Sequence, residues 1–202
     1  MPRKIITLRR HSIRLKGYDY SQTGLYFITI CCQGRKCRFG KIENGEMVLN
    51  DAGKMATQCW LNISEYFPHV ILHEFVIMPN HIHGIIELSN NNDVKTGSVG
   101  AKNFSPLHTF EQSTEQSTEQ WAKNFSSQRP RGTSRTIGSI VRGFKIGVTK
   151  QLGCSVWQRN YYEHIIRDEI SFQHIQNYIN NNPKNWENDH FFGTTNQNII
   201  NP

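Results

Sequence analysis

Two runs of strand-forming residues lie so close together in this chain that they fix one feature of its fold. Residues 70–78 and 81–88 are rich in β-branched and other apolar side chains, and only Pro79 and Asn80 separate them. Strands joined by so short a turn pair as an antiparallel hairpin. We therefore expect this hairpin within the sheet of the protein, with His81 beside the turn.

Two histidines open the second strand of that hairpin. Side chains along a strand alternate between its faces, so His81 and His83 point the same way from neighbouring positions. Neutral imidazole is the commonest metal ligand in proteins, so the pair forms half of a metal site. Histidines that only fill a sheet are the alternative, and further ligands have to decide between the two.

A helix is predicted near the C-terminus, over residues 168–182. Its apolar positions recur at helical spacing: Phe172, Ile175 and Ile179. Acidic residues at its start suit a helix N-terminus, and Pro183 ends it. Tyr178 and Asn182 are four residues apart, which places a phenol and an amide oxygen on one helix face. A helix that served only to cover a core would need neither group there.

Other segments complete a mixed pattern of strands and helices. Strands are predicted at residues 25–31 and 156–167, a hairpin at 41–50, and helices at 51–67 and 136–152. Asp51 is the expected cap of the first of these helices, and Gly153 lies just past the end of the second. Helices that alternate with antiparallel hairpins predict an α+β sandwich.

Residues 89–132 interrupt this pattern. They contain Gln-Ser-Thr-Glu at both 112–115 and 116–119, and two copies of Ala-Lys-Asn-Phe-Ser. Such a composition cannot bury a core, so we predict a disordered, low-complexity insertion in a tolerant surface loop. DNA contact or partner docking is the alternative role. The predicted organisation is one domain over residues 1–188, interrupted by this insertion, and a C-terminal tail at 189–202.

Positive charge is concentrated in two segments of the chain. The formal net charge is +7, and basic residues crowd the first sixteen positions and the stretch from 129 to 150. The cations that we expect at DNA are Arg9, Arg10, Arg14, Arg142 and Lys145. Such patches suit a phosphate backbone, with a solvated surface that keeps the protein soluble as the alternative.

Composition argues against several other classes of protein. No run of about 18 apolar residues is present, so no membrane span is expected, and the basic N-terminus lacks the apolar stretch of a secretory signal. The five cysteines are odd in number and show no Cys-x-x-Cys spacing. They indicate reduced thiols in a cytosolic protein rather than a structural zinc site.

Three motifs, in this order, carry a family resemblance. They are Pro79-Asn80-His81-Ile82-His83, the stretch from Val156-Trp157-Gln158 to Ile165-Ile166-Arg167, and Tyr178-Ile179-Asn180-Asn181-Asn182-Pro183. Over residues 3–90 and 133–188 the chain resembles the single-tyrosine HUH transposases of the REP-associated kind, which handle repeated extragenic palindromes in bacteria. The resemblance implies a ferredoxin-like, RRM-type antiparallel sheet with packed helices. It also implies a bacterial, cytoplasmic and nucleoid-associated protein that acts as a monomer or a homodimer.

The same resemblance implies a chemistry and its residues. Tyr178 would be the nucleophile, and His81, His83 and the amide oxygen of Asn182 would hold Mg²⁺ or Mn²⁺. The tyrosine would attack single-stranded DNA beside a hairpin, leaving a 5′-phosphotyrosine link and a free 3′-hydroxyl that later rejoins a strand. The ion would stabilise charge on the phosphate. A non-catalytic, RRM-like nucleic-acid-binding protein derived from such an enzyme is the alternative.

Several residues near these motifs have roles that the sequence leaves open. His174 lies one turn before Tyr178 and is a candidate proton shuttle, with an exposed helix histidine as the alternative. His164 falls in a matching motif, but spacing does not fix its role. Aromatic side chains are candidates for stacking on unpaired bases, with core packing as the alternative for Trp157 and Tyr161. The candidates are Tyr18, Tyr20, Trp157, Tyr161 and Tyr162.

Overall fold

The computed structural model describes residues 17–90 and 135–192. The described strands are β1 (Gly24–Cys31), β2 (Gly40–Glu43), β3 (Glu46–Leu49), β4 (Val70–Ile77), β5 (His81–Leu88) and β6 (Tyr162–Ile166). The α-helices are α1 (Asp51–Leu61), α2 (Ile63–Tyr66), α3 (Ile137–Leu152) and α4 (Glu169–Asn181). Short 3₁₀ turns occur at Gln33–Arg35 and Trp186–Asn188.

Four strands form one antiparallel sheet in the order β4-β5-β1-β6. The predicted hairpin is present, with Ile77 opposite Ile82 across the turn. With the helices inserted between its strands, this order is that of a ferredoxin-like sheet. The predicted α+β class, an antiparallel sheet with packed helices, is confirmed. The small β2–β3 hairpin stands apart and turns at Asn44 and Gly45, both with positive φ, as the tight turn between them requires.

The helices divide between the two faces of the sheet. Helices α1 and α3 cover one face, where the larger apolar core includes Trp60, Phe144 and Ile28. Helix α4 packs on the opposite face against β4 and β5. Its buried Ile179 joins a smaller core that includes Phe27 of β1. Full burial of such a side chain stabilises a fold by about 1.5–3 kcal/mol, so this contact anchors α4 near its C-terminal end.

A close contact behind β5 fixes the path of the histidine strand. A Cβ atom at Gly84 would lie 2.3 Å from the ring of Trp60, which is fully buried beneath the strand. Only glycine lets the indole approach the backbone so closely. The packing of α1 thereby sets the position of the residue next to His83.

Two local predictions differ from the structure. Asn50, not Asp51, caps α1, because Asn50 is extended and its Oδ1 atom accepts a 2.9 Å hydrogen bond from the backbone N–H of Gly53. The strand predicted over residues 156–167 is restricted to β6. Trp157 instead turns into the core, where its indole N–H donates to the carbonyl of Lys145.

The other predictions on organisation fall mostly outside the described residues. The insertion predicted at 89–132 has only its first two positions within them, and the division into domain and tail stays a prediction. None of the helices within residues 17–90 and 135–192 is long and apolar enough to cross a membrane.

Candidate active site

The histidine pair lies on the sheet face that α4 covers. His83 is opposite Thr29 of β1, and His81 is opposite Cys31 at the end of the same strand. Both imidazoles are almost completely buried, with 0% and 2% of His81 and His83 exposed. Their Nε2 atoms are 3.0 Å apart. Two ring nitrogens therefore converge on one point at the end of the hairpin.

The neighbouring Asn80 determines which nitrogen of His81 carries the proton. The amide nitrogen of Asn80 donates to the carbonyls of Arg35 and Phe191, at 3.2 and 2.9 Å. Its Oδ1 atom therefore faces the Nδ1 atom of His81, 2.8 Å away, and must accept a hydrogen from it. The Nε2 atom of neutral His81 is left with a lone pair that points into the site, as metal-bound histidines require.

His83 is held from two sides. Its Nδ1 atom lies 2.8 Å from the hydroxyl of Thr29, and its Nε2 atom lies 3.2 Å from the hydroxyl of Tyr178. Burial lowers the pKa of both imidazoles, that of His81 to about 3, and Arg35 adds to the effect at His81. Both rings are therefore neutral near pH 7 and able to act as ligands.

Tyr178 reaches the pair from the last turns of α4. Its ring packs edge-on against Phe27, with centroids 6.1 Å apart, and its side chain is 46% exposed. Burial and then Asp189 raise the pKa of the phenol, while a hydrogen bond from Asn182 lowers it. The hydroxyl is thus anchored at the histidines while one side of the ring faces solvent.

Asn182 is buried beside the same site and retains an unused acceptor. It is 2% exposed, and its amide nitrogen donates to Asp189 over 3.0 Å. Within the described part of the chain, its Oδ1 atom has no hydrogen-bond partner. An unpaired buried carbonyl oxygen is costly unless something else engages it, and a cation is a suitable partner.

Asp189 is a site residue that the sequence did not reveal. Ligand atoms of His81, His83 and Asp189 all lie within 4.8 Å of one another. Two imidazoles and a carboxylate, with an amide oxygen nearby, fit a divalent ion such as Mn²⁺ or Mg²⁺. The only sequence signal would have been a carboxylate seven residues beyond Asn182, in a stretch assigned to the tail.

Contacts on both sides hold the segment of Asp189 against the histidines. The ring of Phe191 lies on His81, with centroids 4.4 Å apart, and its carbonyl accepts the hydrogen bond from Asn80. Arg35 donates to the carbonyl of His190 and lies over the Phe191 ring. Residues 189–192 are therefore part of the wall of the site.

The predicted DNA-contacting residues fall in different places. Arg9, Arg10 and Arg14 lie outside the described residues. Arg142 of α3 is exposed. Lys145, one turn later, donates to the carbonyls of Gln158 and Asn160, at 2.9 Å each, and burial lowers its pKa to about 8. Its ammonium is thus engaged within the protein.

The two auxiliary histidines are both on the surface. His174 is exposed on α4. His164 is exposed on β6, opposite Phe27, and so shares the face of the histidine pair without joining its hydrogen bonds. Among the stacking candidates, Tyr20 and Trp157 are buried and Tyr162 is exposed.

Sequence comparison places the chain among bacterial proteins. It is 49% identical over 189 residues to a Haemophilus influenzae protein of uncharacterised function. The aligned region covers 91% of this chain and 93% of that protein. The chain belongs to the family of that protein. A second Haemophilus influenzae protein, provisionally assigned as a REP-associated tyrosine transposase, is 25% identical over 165 residues, 82% of this chain and 73% of its own length. The predicted resemblance to these transposases is confirmed.

Two solved structures show a more remote likeness. The structure of a REP-associated tyrosine transposase bound to a REP hairpin is 19% identical in sequence, with a TM-score of 0.49. The aligned region covers 85% of this chain and 73% of the transposase chain. A protein of Deinococcus radiodurans, provisionally assigned as a transposase, is 12% identical with a TM-score of 0.39. The aligned region covers 83% of this chain and 95% of that protein's chain. No protein-family model matches the chain.

Proposed function

We propose that this protein is a metal-dependent transposase of the single-tyrosine HUH type, which cuts and rejoins single-stranded DNA through Tyr178. One observation carries the proposal: the Tyr178 hydroxyl lies 3.2 Å from a buried imidazole that itself meets a second imidazole and a carboxylate. A nucleophile and a set of metal ligands converge on one point. A helix that only covered the sheet would gain nothing from this arrangement.

The reaction conserves the energy of the DNA backbone. The Tyr178 oxygen attacks a backbone phosphorus and forms a new P–O bond, while the bond from phosphorus to the 3′-oxygen breaks. The phenolic proton is given up, and the departing 3′-oxygen gains a proton. The products are a 5′-phosphotyrosine link and a free 3′-hydroxyl. Attack by a 3′-hydroxyl on that link reverses the step and rejoins a strand, so no nucleotide cofactor is consumed.

A divalent ion would be held by His81, His83 and Asp189, with the Asn182 amide oxygen as a further ligand. When bound, Mg²⁺ or Mn²⁺ supplies positive charge that stabilises the phosphate as negative charge develops on it. A ligand set with two imidazoles favours Mn²⁺ over Mg²⁺. Asn80 keeps the Nε2 atom of His81 free of a proton, which is the state that a ligand needs.

The protein's own groups do little to lower the pKa of the Tyr178 phenol. Desolvation and the carboxylate of Asp189 both raise the pKa of Tyr178. Among the described residues, the amide of Asn182 favours the phenolate by donating a hydrogen bond to it. The chain therefore positions the nucleophile, and the added positive charge has to offset the cost of ionising it.

The substrate that fits this proposal is single-stranded DNA next to a hairpin. The relative at 25% identity is assigned to transposases associated with REP sequences. A net charge of +7 suits a polyanion, and the exposed guanidinium of Arg142 is available for a phosphate. DNA contacts by the N-terminal arginines, a bacterial nucleoid location and a monomeric or dimeric state stay predictions.

A covalent adduct assay tests the proposal. Labelled hairpin DNA with a single-stranded flank is incubated with protein and Mn²⁺ or Mg²⁺, and a complex that survives denaturation is sought. We expect the adduct with the unaltered protein and none with Tyr178→Phe, which should still bind the hairpin. Tyr162→Phe is the matched control, because Tyr162 is also 46% exposed and lies on the same sheet face. Binding without any adduct from the unaltered protein would contradict the proposal and favour a non-catalytic binding module.

A further inference from the structure

The sheet face that carries the site continues from His83 on β5 across β1 to β6. Among the described strands, β6 is one of the two edge strands of this sheet, and Tyr162 at its start lies opposite Thr29, which in turn lies opposite His83. These three residues form one row across neighbouring strands. Strands in a sheet are about 4.8 Å apart, so Tyr162 is about 10 Å from His83 along this row.

An aromatic row connects Tyr162 to the nucleophile. The ring of Phe27 packs edge-on against Tyr178 at 6.1 Å and against Tyr162 at 6.4 Å. Phe27 is buried, whereas both tyrosines are 46% exposed. Among the described residues, the Tyr162 hydroxyl makes no hydrogen bond, so neither the core nor a polar network accounts for this ring.

Basic residues precede and follow strand β6 along the chain. Arg159 precedes β6 and Arg167 follows it, and both are exposed. His164 is exposed two residues along the same strand, on the same face as Tyr162. An aromatic face with cations at either end of its strand complements a base and its flanking phosphates. A purely apolar protein partner would have to desolvate those charges.

We infer that Tyr162 is a stacking platform for an unpaired nucleobase of the DNA strand whose phosphate lies at Tyr178. The inference rests on the proposed function in taking single-stranded DNA, with its phosphate at Tyr178, as the substrate. A base inside a duplex has both faces covered by its neighbours, so the ring favours an unpaired base over one within a duplex. Stacking on a π-face tolerates every base, which makes Tyr162 a positioning residue rather than one that specifies sequence.

Binding of two matched strands tests this inference. The probes are a short oligothymidylate and a strand of equal length and charge in which every base is replaced by an abasic sugar. Both are titrated by fluorescence anisotropy against protein in the Tyr178→Phe background, where no cleavage occurs. Loss of one stacked base corresponds to about 5- to 150-fold in affinity.

We expect Tyr162→Ala to weaken binding of the oligothymidylate by that factor and to leave binding of the abasic strand unchanged. Tyr162→Phe keeps the ring and should bind both strands normally. Leu61→Ala is the control, because Leu61 is also 46% exposed but lies on α1 across the sheet. Equal weakening of both strands by Tyr162→Ala, or no weakening, would overturn the inference. Neither result depends on adduct formation, so failure here is distinct from failure of the proposed chemistry.

Discussion

At the scale of single residues, the site is organised by hydrogen bonds that leave specific atoms free. Asn80 uses its amide nitrogen on two backbone carbonyls and its oxygen on His81, so the free nitrogen of that imidazole faces Asp189 and His83. The amide nitrogen of Asn182 donates to Asp189, and its oxygen has no hydrogen-bond partner among the residues that the structure describes. The polar atoms of these two asparagine side chains are therefore either hydrogen-bonded within the protein or available to a cation.

The role of Asp189 can be tested by removing its charge alone. We expect Asp189→Asn to weaken Mn²⁺ binding, measured by calorimetry, by about 10- to 100-fold, since a ligating carboxylate is replaced by a neutral amide. Asp168→Asn is the matched control, because Asp168 caps the other end of α4 and asparagine caps equally well. Equal Mn²⁺ affinity for Asp189→Asn and the unaltered protein would exclude Asp189 as a ligand.

At the scale of elements, two packing contacts determine where the site residues stand. Trp60 of α1 presses on Gly84 from behind the histidine strand, and Phe27 and Ile179 join β1 to α4 on the site face. The histidine strand therefore packs into both cores, through Gly84 on one face and Ile85 on the other, whereas the tyrosine helix packs into the smaller core. Each core can be disturbed separately.

A methyl group at Gly84 should disturb the first of these contacts. Gly84→Ala places a Cβ atom 2.3 Å from the Trp60 ring, so either the strand or the indole must move, and overpacking of this kind costs about 1–3 kcal/mol. Urea unfolding measures the loss. Gly143→Ala in α3 is the control: its Cβ atom would meet Phe67 at an ordinary 3.5 Å, and alanine favours a helix. Unchanged stability of Gly84→Ala would show that the contact with Trp60 does not constrain β5.

Arg142 and Lys145 of α3 should differ in what they support. Lys145→Met removes the donor to two carbonyls and should lower the free energy of unfolding by about 1–3 kcal/mol. Arg142→Ala should leave stability unchanged, weaken DNA binding and reduce its salt dependence by about one counterion. If Lys145→Met weakened DNA binding without lowering stability, Lys145 would be a direct DNA contact instead.

Local rules account for what the sequence could predict. Alternation along a strand places His81 and His83 together, and a four-residue spacing places Tyr178 with Asn182. Asp189 depends on where the chain runs after Pro183, which is decided by distant contacts with Asn80 and Arg35. The carbonyl partners of Lys145 likewise depend on the turn of Trp157 into the core, which no periodicity reveals.

At the scale of the whole molecule, the account requires distant parts of the chain to meet. The hydrogen bond between His83 and Tyr178 spans 95 positions of sequence, and the central position of β1 in the sheet makes that meeting possible. The segment at 189–192 then closes one side of the site, and on the other side β6 is the last of the described strands in the sheet.

The most direct test of the central claim is to locate the covalent link itself. Protein is incubated with hairpin DNA carrying a single-stranded flank and Mn²⁺, digested with nuclease and protease, and analysed by mass spectrometry. We predict a nucleotide 5′-phosphate on the phenol of Tyr178, in the peptide that follows Arg167. A nucleotide on Tyr162 or any other residue, or no modified peptide from a protein that binds the DNA, would contradict the account.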